Sequence, residues 1–146
     1  MTLRRVAHWQ RALRDAVHRH HAPFAWGTND CCSFVCDCVL EMTGVDIYAE
    51  FRGKYSSELD AQRTMRGACG SAEIEAVAEY VTAKFEMQPV DVYFAQAGDV
   101  VLLPAGENGA LALGIVAHDN LHAMVVSQAG LNRVKYVAIA KKAWRV

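Results

Sequence analysis

Apolar residues recur at helical spacing through the first half of the chain and at strand spacing after it. Helices followed by an antiparallel sheet are therefore expected. From Leu3 to about His20, the residues Val6, Trp9, Leu13 and Val17 share one face, the rhythm of an amphipathic helix. Thr2 is placed to cap its start, and Arg19, His20 and His21 lie near the negative end of its dipole. Ala22-Pro23 stops it, and Phe24 to Asn29 reads as an ordered loop with two aromatic rings to bury. The second helix has the sharpest pattern: Cys31, Phe34, Val35, Cys38, Val39 and Met42 form one continuous stripe, with Asn29 or Asp30 as cap and Gly44 as stop. Helical spacing returns over Ser57–Met65 and Ser71–Phe85.

After Pro89 the period changes. Short β-rich runs at Val90–Phe94, Val100–Leu103, Leu111–Ala117, Leu121–Ser127 and Val134–Ala140 are separated by turn-forming stretches rich in Gly, Asp and Asn. The expected architecture is one α+β domain over residues 1–146, with no repeat or linker. The 146 residues and 53% hydrophobic content suit one buried core. No apolar run is long enough to cross a bilayer, and the start of the chain does not read as a secretion signal.

Charge is unevenly placed. Residues 1–21 carry five Arg and one Asp, residues 22–130 carry fifteen acids and five bases, and residues 131–146 carry five bases and no acid. Two basic ends around an acidic body mark either a surface for an anionic partner, a self-contact between complementary patches, or solvated faces. Trp144, among the charges of the C-terminal segment 141–146, needs burial in its own domain or on a neighbour, and the segment is expected to be ordered and to contribute to a partner contact.

Cys31, Cys32, Cys36 and Cys38 crowd into eight residues. Disulfide frameworks spread their cysteines along the chain, so free thiols in a reducing compartment are expected. At 100° per residue Cys32 and Cys36 share one helix face and Cys31 and Cys38 another, so at most two converge on one ion. No metal and no cofactor is expected. Cys31, in the first turn, is where unpaired N–H groups and the helix dipole favour a thiolate. On the residues alone it is either a nucleophile or one more apolar member of the stripe. His18, His20 and His21 read as exposed imidazoles at a helix end. His118 falls in a turn with Asp119 and Asn120, and His122 opens a strand.

The segments Trp26-Gly27-Thr28-Asn29-Asp30-Cys31, Ala97-Gly98-Asp99-Val100-Val101 and Leu113-Gly114-Ile115-Val116 together resemble the NlpC-like superfamily of papain-fold cell-wall cysteine peptidases. With Thr43-Gly44-Val45-Asp46, Phe51-Arg52-Gly53-Lys54-Tyr55, Ala110 to Ile115 and the closing Ala143-Trp144-Arg145-Val146 added, nearly the whole chain is similar to a family of small tail proteins of long-tailed bacteriophages and prophages. The resemblance implies a papain-like NlpC-type fold, with the Cys31 helix packed on a small antiparallel sheet or half-barrel. Cys31 matches the nucleophile. The base position, just before Leu113, holds Ala112, which accepts no proton. His122 matches the third, orienting position, so Cys31 and His122 are the catalytic candidates, a dyad only if that imidazole reaches the thiol. What the resemblance implies is a structural component of a tail tip on a degenerate peptidase scaffold, made in the host cytoplasm and located at the virion tail tip. Its partners would be other tail-tip and hub proteins, with no membrane segment and no specific nucleic acid. The alternative is an active peptidoglycan-degrading cysteine endopeptidase or amidase that opens the wall for DNA passage.

Overall fold

The computed structural model describes residues 2–146. Four helices, α1 (Trp9–Arg19), α2 (Cys31–Thr43), α3 (Glu58–Cys69) and α4 (Ile74–Lys84), precede six strands. The strands are β1 (Pro89–Val90), β2 (Val100–Leu103), β3 (Ala112–Val116), β4 (His122–Ser127), β5 (Gly130–Lys135) and β6 (Lys142–Trp144). All pairings are antiparallel, in the order β1-β6-β2-β3-β4-β5. The protein is therefore α+β, as the change of period implied. The meander from β2 to β5 is simple, but β6 returns across it to pair with β2, and β1 pairs with the far side of β6.

The helix boundaries follow local chemistry. α2 begins at Cys31 because Asp30 Oδ1 accepts from the Ser33 N–H at 2.8 Å while Ser33 Oγ accepts from the Asp30 N–H at 2.9 Å, a reciprocal cap that satisfies two end donors. It ends where Gly44 takes a left-handed φ of 77°. α3 runs beyond the expected Met65 to Cys69, stopped by Gly70, and α4 is shorter than Ser71–Phe85 at both ends. α1 starts at Trp9, not Leu3. Tertiary bonds hold the preceding residues out of the helix: the Val6 N–H donates to Met42 O at 2.8 Å, and Arg5 reaches Ala97 O and Asp99.

Two expected strands change form. Only Pro89–Val90 of the 90–94 run is strand. The Asp91 carboxylate accepts from the Tyr93 N–H at 2.9 Å and turns Val92–Phe94 into a short 3₁₀ helix. The run Val134–Ala140 is split between the end of β5 and a turn in which the Ile139 and Ala140 N–H groups donate to Tyr136 O.

β2 and β3 are buried along their whole length, since both faces of the sheet are covered. Val100, Leu102, Leu113, Ile115 and Trp144 face the helices, with Phe34, Val35 and Val39 of α2. Val101, Leu103, Ala112, Val116 and Ala143 form a second cluster beneath Ala95 and Tyr136. Trp144 is 2% exposed, so its burial site is its own core and it is not available to a neighbour.

No helix among the described residues is long and apolar enough to cross a membrane.

Candidate functional site: a thiol at the floor of an acidic groove

The N-terminus of α2 is held from behind by a buried carboxylate. Asp30 is 3% exposed, and besides the Ser33 N–H it accepts from the Gly27 N–H and from Tyr55 Oη, each at 2.8 Å. Tyr48 Oη bonds Tyr55 Oη in turn. Gly27 adopts a φ of +88°, and a Cβ there would lie 2.2 Å from Tyr55 O, so only glycine lets this loop close on the tyrosine. Arg52 completes the support by bridging Asp37 of α2 at 2.8 Å and Asp46 at 2.9 Å. The Thr-Gly-Val-Asp and Phe-Arg-Gly-Lys-Tyr segments therefore brace the start of α2.

Cys31, the first residue of α2, is half-buried and lines a groove of about 650 Å³. Its thiol is held below the ordinary thiol range, chiefly by a hydrogen bond from Cys32 and further by the Leu113 and Cys32 backbone N–H groups, against burial and the Asp30 charge, which push it up. Cys32 is correspondingly pushed well up. Burial raises Cys36 and Cys38 as well, which suits their place in the apolar core. All five cysteines are free. Among the described residues, no group of three His, Cys, Asp or Glu side chains is arranged to hold a metal ion.

Phe24 and Trp26, edge to face at 5.0 Å between ring centres, form one wall of the groove. Met65, Ile74, Leu111, Ala112 and Val126 contribute further apolar surface. Asp30, Glu58, Glu73, Glu75 and Glu107 also line it, and no His, Lys or Arg does.

Ala112 borders the groove, and its methyl belongs to the second cluster, against which Cys31 also packs. Side chains alternate along a strand, so the register that faces α2 is that of Leu111 and Leu113. Both registers are apolar, and neither offers Cys31 a proton acceptor.

The structure does not bring His122 to Cys31. β3 and β4 pair Val116 with Ala123, which puts His122 beside the far end of β3, while Ser127 at the other end of β4 lines the groove. The two ends of β4 are about 17 Å apart at strand rise. The His122 Nδ1 instead lies 2.6 Å from Asp119 Oδ2, which Arg133 also contacts at 2.8 Å.

Of the three histidines near the end of α1, His20 is not exposed. It is 6% accessible, with Nδ1 2.6 Å from Asn29 Oδ1 and Nε2 2.9 Å from Asp37 Oδ2. Burial favours its neutral form, but these two bonds outweigh that and raise its pKa. A buried histidine spanning two elements leaves no local sequence signal.

The family model described as Domain of unknown function (DUF6950) matches residues 4–146. No curated protein matches the chain.

Proposed function

The chain belongs to that family of unknown function, and we propose, from the site together with the resemblance of its motifs to small tail proteins, that the protein is a structural component of a bacteriophage or prophage tail tip built on a degenerate NlpC-like cysteine peptidase scaffold. The observation that carries this reading is the absence of any imidazole from the residues lining the groove around Cys31. A positioned base contributes about 10² to 10⁴ in rate, and a nucleophile without its base loses nearly all of the pair's effect. A papain-like NlpC-type fold is supported by the nucleophile-position cysteine opening α2 and by the packing of α2 on β3, where the Leu113 N–H meets the thiol. Scaffold and function are separable, and loss of a base is one route from enzyme to assembly module.

The second reading, an active peptidoglycan cysteine endopeptidase or amidase, is favoured by one observation, the acidified Cys31 thiol. Digestion of purified muropeptides separates the two. The assembly reading expects no cleavage above a Cys31→Ala control, together with tail assembly that fails when the protein is deleted and proceeds with Cys31→Ala. Turnover abolished by Cys31→Ala would establish the hydrolase in its place.

A further inference from the structure

We propose that the Cys31 groove seats an extended segment of a partner polypeptide in which lysine or arginine side chains alternate with apolar ones. This rests on the assembly reading and names the chemistry of the partner.

Several carboxylates elsewhere in the protein already have a cation. Asp37, Glu41, Asp46, Glu50, Asp99 and Asp119 each pair with an arginine, lysine or histidine. At the groove, Glu75 is bridged by Lys141 and Lys142. Glu58, Glu73 and Glu107 are exposed and form no ion pair among the described residues. They are carried on separate elements: the first turn of α3, the residue before α4, and the loop between β2 and β3. With Asp30 buried behind the thiol and no His, Lys or Arg in the lining, the groove is a concave surface of one sign, which focuses a negative field.

Three spaced carboxylates call for a ligand with several spaced cations. The apolar wall of Phe24, Trp26, Leu111 and Ile74 calls for apolar groups between them. A lone metal ion or small polyamine leaves that wall uncovered. Nucleic acid and anionic lipid are repelled. A volume near 650 Å³ takes a few side chains of a strand-like segment and is too small for a folded module. An anionic peptide, such as one with several free carboxylates, meets no positive group in this lining.

The test uses the intact protein and two fluorescein-labelled peptides, one alternating lysine with leucine and one alternating glutamate with leucine. The lysine peptide is expected to bind with an affinity that falls as salt rises, and to slow alkylation of Cys31, which places it in the groove. Combining Glu58→Gln, Glu73→Gln and Glu107→Gln should weaken it by about tenfold or more. The three positions are exposed, and circular dichroism checks that the variant folds; Glu107→Lys, on a loop, is the second variant if it does not. Equal binding of the two peptides, indifference to these substitutions, or no protection of Cys31 overturns the proposal. So does protection of Cys31 that grows with protein concentration alone, since that gives the groove to a second copy. Failure here leaves the tail-assembly requirement standing, whereas muropeptide cleavage removes the assembly reading independently of peptide binding.

Discussion

Arg5 and Asp99, 94 positions apart, meet with the guanidinium 3.0 Å from Asp99 Oδ1. Asp99 is 0% exposed and also accepts from Arg145 Nε at 3.1 Å, the Gln96 N–H at 2.9 Å and the Val146 N–H at 3.2 Å. Arg5 Nε closes the ring on Val146 O at 3.0 Å. The two basic ends of the chain thus share one buried carboxylate at the turn that opens β2. Removing one partner of a buried pair strands the others, so Asp99→Asn should cost about 3 kcal/mol, the low end of the usual range because Arg145 is partly hydrated. Deleting residues 141–146 removes β6 from between β1 and β2 along with Trp144, and should abolish the cooperative melt altogether. A truncated chain that melts within a few degrees of the parent refutes the clamp.

Gly27→Ala tests the loop that leads into Cys31. The new Cβ meets a backbone carbonyl at 2.2 Å, which cannot rotate aside, and the φ of +88° is itself unfavourable for alanine. We expect a loss of about 1–3 kcal/mol, with a change in the near-ultraviolet dichroism of Trp26 and Tyr55. An unchanged melting curve would mean that the loop and Tyr55 are not in contact.

The His20–Asp37 bond predicts a pH window. The histidine pKa is raised by Asp37 and Asn29 against the effect of burial, so its stabilisation is fully present below about pH 6.5 and is lost as pH rises through its folded value. Burial pushes Asp37 up, but His20 and Arg52 hold it below the ordinary carboxylate range, so its contribution is present above about pH 4 and is lost as pH falls through the folded value. The melting-temperature gap between the parent and Asp37→Asn should therefore be widest between about pH 4 and 6.5. It should narrow above that window without closing, because Arg52 stays charged. A gap independent of pH would show that the pair is not ionic.

Cys31 should be alkylated by iodoacetamide before Cys32, Cys36 and Cys38, with a midpoint below that of a free cysteine, because its thiol is lowered and theirs are raised. Peptide mapping by mass spectrometry reads the order directly. Ala112→His should not sharpen this pH profile. Residue 112 is 3% exposed within the second cluster, so the imidazole overfills that cluster at a cost of about 1–3 kcal/mol. A new inflection near the pKa of histidine in the alkylation of Cys31 would show instead that a side chain at 112 reaches the thiol.

The sequence alone determined whatever depends on neighbours within a turn or two. The stripe from Cys31 to Met42, the Asp30 cap and the Gly44 stop define α2 because capping and periodicity are local. The switch to short alternating runs after Pro89 fixed the α+β class for the same reason. Tertiary contacts decided the rest. Leu3 to His8 leave the helix because Arg5 and Val6 find better partners far along the chain, and the 90–94 run is cut short by the Asp91 cap. Nothing near His20 in sequence announces Asp37, nothing near Trp144 announces the gap between β1 and β2, and the distance from His122 to Cys31 follows from which end of β4 meets the groove. Long-range pairing sets such positions, and pairing depends on how whole faces bury one another.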